Sequence, residues 1–93
     1  PMATTVEREV TVESPNGLHA RPSHAVVALV TGFEAQVQLE LNGRVADARS
    51  ILGVMTLGAG KGDVIRVRAD GPDAAAAVEG LAALFASAFG EAG

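Results

Sequence analysis

Polar and apolar residues alternate strictly along Gln36-Val37-Gln38-Leu39-Glu40-Leu41, the two-residue period of a strand with one buried and one wet face. Asn42-Gly43 comes next, the strongest short-range hairpin signal a sequence carries, so the run AQVQLELNGRVADA predicts two antiparallel strands, the second short. VIRVRA at 64–69 alternates in the same way. VEREVTVE at 6–13 is rich in Val and Thr and alternates in its second half, predicting a strand that stops at Ser14-Pro15.

Two segments carry the helical period instead. From Ala20 to about Thr31 the apolar Val26, Val27 and Val30 recur at helical spacing, and Gly32 supplies a stop. After the Asp70-Gly71-Pro72-Asp73 turn, the positions Ala74, Val78, Leu81, Phe85 and Ala88 form one stripe, predicting a last helix capped by Asp73. Between them Ser50 opens the apolar segment ILGVMTL, read as a short helix with Ser50 at its N-cap and the GAGKG turn at its end. The order is βαββαβα. It predicts an α+β domain with helices on one face of a mostly antiparallel sheet, and Glu7, Glu9, Arg66 and Arg68 mark the other face as wet. Ferredoxin-like modules share such an order, so the fold does not choose the function.

A chain of 93 residues makes one small domain, and 48% hydrophobic residues suffice for a packed core. Apolar runs such as AVVALV at 25–30 fall far short of the ~20 residues of a membrane span. No basic-then-apolar leader opens the chain, so a soluble, cytoplasmic protein is expected. Pro1 ahead of Met2 reads as an added residue, leaving 3–90 as the expected domain. The absence of cysteine excludes disulfide and thiolate chemistry. A net charge of −4, with three Phe and neither Trp nor Tyr, argues against a nucleic-acid surface.

The chemistry concentrates in PNGLHARPSH at 15–24. His19 stands where the first helix begins, so the unsatisfied N–H groups of the first turn and the positive end of the helix dipole lie beside its ring. Arg21 adds a planar cationic fork suited to phosphate oxygens, and Pro22 occupies a first-turn position where its missing N–H costs nothing. Together they suit a bound or covalently attached phosphate. Histidine's ordinary pKa of about 6.5 leaves the imidazole largely neutral and nucleophilic near neutral pH. A phosphoryl group on its nitrogen is activated to leave again, which makes a relay. Competing readings remain at this level. His19 could simply cap the helix or fill a loop. A metal site has little support, since His24 lies about 140° round the helix. A hydrolytic pair with Ser23 lacks an evident oxyanion hole or third, orienting group. His24 reads as a partly exposed helix residue.

Asn16-Gly17-Leu18-His19-Ala20-Arg21-Pro22, followed by Arg49-Ser50-Ile51-Leu52-Gly53-Val54-Met55-Thr56-Leu57, resembles HPr, the histidine-containing phosphocarrier family of the bacterial phosphoenolpyruvate–sugar phosphotransferase system. The resemblance runs from Val6 to Phe89. It implies an open-faced β-sandwich, four antiparallel strands with three helices on one face. It also implies a phosphoryl carrier rather than an enzyme with its own turnover: enzyme I passes a phosphoryl group to Nδ1 of His19, which passes it to sugar-specific IIA proteins or domains. By the same resemblance Arg21 attends the phosphate, Asn16, Gly17 and Ala20 form the supporting loop and helix start, and Ser50 matches a serine that an ATP-dependent serine kinase/phosphorylase modifies in some lineages.

ILGVMTL holds more apolar residues than one buried face of two turns can take, so some must face solvent. The resemblance assigns Ile51, Leu52 and Met55 to partner docking. A cytoplasmic monomer with no cofactor, no metal, no nucleic acid and no membrane insertion is expected. Arg49 stands where the family usually has lysine, Thr56 where serine is usual, and His24 is not a usual residue at its position. A basic patch of Arg21, Arg49 and Lys61 is expected to attract partners. Two rivals are a same-fold paralogue in a nitrogen-regulatory phosphorelay and, from another class, a small ligand-binding regulatory module.

Overall fold

Asn42 and Gly43 adopt φ of 53° and 82°, the left-handed pair that a two-residue hairpin turn requires, and they join strand β2 (Gln36–Leu41) to strand β3 (Arg44–Asp47). This computed structural model describes residues 4–90, and the reading of Pro1 and Met2 lies outside the described residues. In chain order the elements are strand β1 (Thr5–Thr11), helix α1 (Ala20–Thr31), the β2–β3 hairpin, helix α2 (Ile51–Thr56), strand β4 (Val64–Asp70), helix α3 (Ala74–Ala86) and a 3-10 turn at Ala88–Gly90. The four strands form one antiparallel sheet in the order β1-β4-β2-β3, with the helices packed on one face. This is the expected open-faced sandwich.

Alternation decides the faces. Val37, Leu39, Ile65, Val67 and Ala69 are buried under the helices, whereas Glu7, Glu9, Gln38, Glu40, Arg66 and Arg68 line the open face. Arg66 stands in register between Glu9 and Glu40, and Arg68 between Glu7 and Gln38. The Arg66–Glu9 and Arg68–Glu7 ion pairs, at 3.7 and 3.8 Å, are half-exposed and therefore contribute little each. Arg8 points to the helix side from the edge strand and reaches past the core to Glu79 of α3, at 2.9 Å.

Three limits differ from the sequence pattern. β1 ends at Thr11 rather than at 13, because Val12 leaves the ladder. Its N–H donates to the carbonyl of Asp63 and its own carbonyl accepts from Gly62, a residue at φ 92°. α3 ends before Ala88: Ala88 and Phe89, at φ 53° and 59°, turn the chain back, and the Phe89 ring meets Phe85 edge-on at 4.8 Å. Asp73 occupies the N-cap position of α3, but its side chain does not cap that helix. Its two carboxylate oxygens instead accept from the N–H groups of Glu34 and Ala35, both at 2.9 Å. A strand-entry segment with two unpaired donors outcompetes the helix end.

Among the described residues no helix is long and apolar enough to cross a membrane.

Candidate functional site

The turn before α1 is set by Ser14 and Gly17. The Gly17 N–H donates to the Ser14 carbonyl at 3.0 Å, closing a tight turn that Gly17 completes at φ 69°. A Cβ on Gly17 would stand 2.2 Å from the carbonyl oxygen of Ala59, so only glycine lets the two loops meet. Immediately after it, the Leu18 N–H donates to that same Ala59 oxygen at 2.9 Å. The residue preceding the histidine is thus fixed to the loop after α2, and the Asp63 carboxylate steadies that loop by accepting from Gly60.

His19 is the N-cap of α1, partly exposed, with its side chain making no hydrogen bond to the helix end. The first helical bond runs from Ser23 N–H to the His19 carbonyl. The N–H groups of Ala20 and Arg21 therefore have no helical acceptor, and Pro22, next in line, has no N–H to offer. Two backbone donors and the positive helix end thus lie at the residue that carries the imidazole, and Arg21 is exposed one residue beyond. A dianionic group attached to the ring would meet charge-assisted hydrogen bonds rather than orphaned polar groups.

Ser23 answers the hydrolytic alternative. It is fully buried, and its hydroxyl donates to the Leu18 carbonyl at 3.0 Å. It anchors the approach to His19 from below and is not presented as a nucleophile. Sequence reading placed Ser23 one turn from His19 but missed this anchoring role, because a serine inside a helix has several possible acceptors. His24 is exposed, and among the described residues no cluster of three His, Asp or Glu side chains gathers in a form that could hold a metal ion. Asn16 and Ala20 lie exposed at the two ends of the loop. The Gly17 N–H, spent on the turn, shapes the loop rather than facing the ring.

Ser50 caps α2: its hydroxyl accepts from the Gly53 N–H at 3.0 Å. Ile51, Leu52 and Met55 are exposed at 39, 70 and 38%, while Val54 is buried, so the surplus of apolar residues does face solvent. Arg49 goes elsewhere than expected. Its guanidinium donates to the carbonyls of Val30, Phe33 and Ala35, at 3.2, 2.5 and 3.0 Å, and so closes the C-terminal end of α1. The anticipated patch of Arg21, Arg49 and Lys61 does not form around His19, because three carbonyls at the far end of the helix hold the Arg49 guanidinium there. The same contacts set the direction of α2. Its start lies by the C-terminal end of α1, and its far end leads to Ala59 beneath Leu18, so the two helices run antiparallel.

Asp73 completes the clamp at that far end. The hydrogen bond from Glu34, helped by Ala35 and by the nearby Arg49 charge, holds its carboxyl below the usual carboxylate value despite partial desolvation.

Comparison with known proteins follows the same residues. The family described as "PTS HPr component phosphorylation site" matches residues 6–87. Phosphocarrier protein HPr of Cupriavidus necator is 44% identical over 86 residues, covering 92% of this chain and 97% of that protein. The HPr-C-His structure from Thermoanaerobacter tengcongensis superposes with a TM-score of 0.89 at 34% identity, covering 94% of this chain and 98% of that one. A phosphocarrier protein HPr from Bacillus anthracis gives 0.84 at 38% identity, covering 88% and 98%. Agreement in sequence and in backbone spans both the helix start at His19 and the capped helix at Ser50, and on it the chain belongs to the HPr family of the phosphotransferase system.

Proposed function

We propose that His19 carries a phosphoryl group, accepted from phosphorylated enzyme I and passed to a histidine of sugar-specific IIA proteins or domains. The observation that carries this reading is the position of His19 at the N-cap of α1, beside the unclaimed N–H groups of Ala20 and Arg21, in a chain of this family. In the transfer the Nδ1 lone pair attacks phosphorus, the donor's bond to phosphorus breaks, and the ring proton stays on Nε2. Nδ1 is the nitrogen nearest the main chain and so nearest the two amides. Arg21 neutralises charge on the transferring oxygens. The reverse sequence delivers the group to the next histidine. The protein is a cytoplasmic carrier that is itself modified rather than an enzyme with turnover of its own.

Ile51, Leu52 and Met55 supply the apolar part of the docking surface, an exposed patch of the kind that transient partners use. Ser50 is the regulatory position. Ser50 stands at the start of α2, on the same short helix as Ile51, Leu52 and Met55. Phosphate on Ser50, added by an ATP-dependent kinase, acts through the docking surface that it adjoins.

Incubation with phosphoenolpyruvate and purified enzyme I is expected to add one phosphate, acid-labile and alkali-stable, mapping to His19. His19→Ala abolishes it while the circular dichroism spectrum stays that of the folded protein. Labelling that persists in His19→Ala would sink the assignment.

A further inference from the structure

The eleven acidic residues are unevenly placed: none falls between positions 14 and 33 or between 48 and 62, stretches that include α1, α2 and most of the site loop and of the loop after α2, with Glu13 and Asp63 at their edges. Among the described residues the acids lie on the sheet, on α3 and in the loops around them. The acid-free stretches hold Arg21, Arg49, Lys61, His19 and His24. Arg49 is turned inward onto three carbonyls. The outer surface of α1 thus offers two side chains able to bear positive charge beyond His19, namely Arg21 and His24, both exposed.

The direction of His24 follows from the helix. Val26 and Val30 face the core, and Leu29 lies against Gly80 of α3, so that flank of α1 belongs to α3. His24 projects about 140° from Leu29 around the axis, outward and toward the opposite flank, where α2 packs. It stands one turn after Arg21 on the exposed face. On its own helix the other charged group is Arg21; the loop after α2 carries Lys61 and also Asp63, whose carboxylate is engaged by the Gly60 N–H. α2 itself carries none, and Glu79 of α3 lies across the other flank, paired with Arg8. Neither α1 nor α2 carries a carboxylate of its own.

Resting on the phosphocarrier reading above, we propose that His24 is a specificity-determining contact of the docking face, which when protonated places a second positive charge beside Arg21 against carboxylates on the surface of the phosphoryl donor. The occupant is a protein surface rich in Asp and Glu, because on a chain of net charge −4 the exposed face of α1 presents it with no like charge. Histidine's charge change falls ordinarily between about pH 5 and 8, so the contact is graded where lysine would be constant. Its weight is that of an exposed pair, about two- to five-fold in affinity, felt mainly in the association rate.

The test compares the dissociation constant for purified enzyme I of wild type, His24→Gln and His24→Lys at about pH 6 and about pH 8, at low and high salt. Titration of His19 and of enzyme I itself affects all three and cancels in the ratios. The expected result is wild type binding about two- to five-fold tighter than His24→Gln near pH 6, a ratio near one at pH 8, and loss of the difference at high salt. His24→Lys is expected to hold the tighter value at both pH values. Melting temperatures of the three should agree, since the side chain packs against nothing buried. A wild-type to His24→Gln ratio of one at both pH values, with His19 still phosphorylated by enzyme I, overturns the inference about His24 alone. No binding and no phosphorylation of wild type overturns it together with the functional reading.

Discussion

The two ends of α1 are treated in opposite ways. At the C-terminal end the Val30, Phe33 and Ala35 carbonyls are taken by Arg49, while the Glu34 and Ala35 N–H groups are taken by Asp73. At the N-terminal end the Ala20 and Arg21 N–H groups are left to the solvent side, and the N-cap side chain does not bind the helix. A stable helix needs its end groups satisfied, and one end here obeys that rule with side chains drawn from 14 to 39 residues away. The other end presents two N–H groups with no helical acceptor, which is what the proposed phosphoryl group on His19 would use.

Substitutions at each end separate these roles. The largest effect is expected at the open end: Arg21→Ala should slow phosphoryl transfer from enzyme I by one to two decades, the value of charge-assisted hydrogen bonds of about 1.5–3 kcal/mol, with an unchanged melting temperature. Transfer at wild-type speed would mean that the helix terminus alone supplies the stabilisation. At the closed end the signs invert. Arg49→Ala should lower stability by about 2 kcal/mol by leaving carbonyls unpaired, yet leave the transfer rate of the folded protein within about two-fold. Arg49→Lys should recover only part, because an ammonium lacks the fork that spans three acceptors. Equal melting temperatures for all three would show the clamp to be dispensable.

The smallest effect is a pH dependence. The folded-state carboxyl of Asp73 titrates below its ordinary value, so the stabilisation it gives is fully present above that value, near pH 4, and fades as the pH falls through the lowered one. The difference in melting temperature between wild type and Asp73→Ala should therefore hold steady from pH 7 to about 5 and shrink in stronger acid. A difference that persists undiminished in strong acid would assign the effect to helix geometry instead of charge.

What could be read from the sequence was local. Alternation along β2 and β4, the Asn42-Gly43 turn and the Ser50 cap, which closes onto Gly53 three residues on, all have cause and partner inside one short window. His19 stood out for the same reason: turn, histidine, arginine and proline are consecutive. Arg49 and Asp73 were misplaced because their partners lie far along the chain and are main-chain atoms, which every residue possesses and none advertises. Gly17 was legible as a turn residue but not as the contact with Ala59, since close approach of two loops leaves no periodic trace. Ser23 sat in view, but nothing in the sequence marked the Leu18 carbonyl as its acceptor.

β1 is an edge strand, and its sequence Thr5-Val6-Glu7-Arg8-Glu9-Val10-Thr11 reads the same in both directions. Two copies meeting edge to edge, antiparallel about Arg8, would set Glu7 opposite Glu9 twice on one face and Arg8 opposite Arg8 on the other. Every charged pair in that register is a like pair, and like charges directly opposed across a ladder are destabilising. The palindrome that would make self-pairing symmetric also makes it repulsive, so the open edge that ends the sheet is poorly suited to begin a fibre.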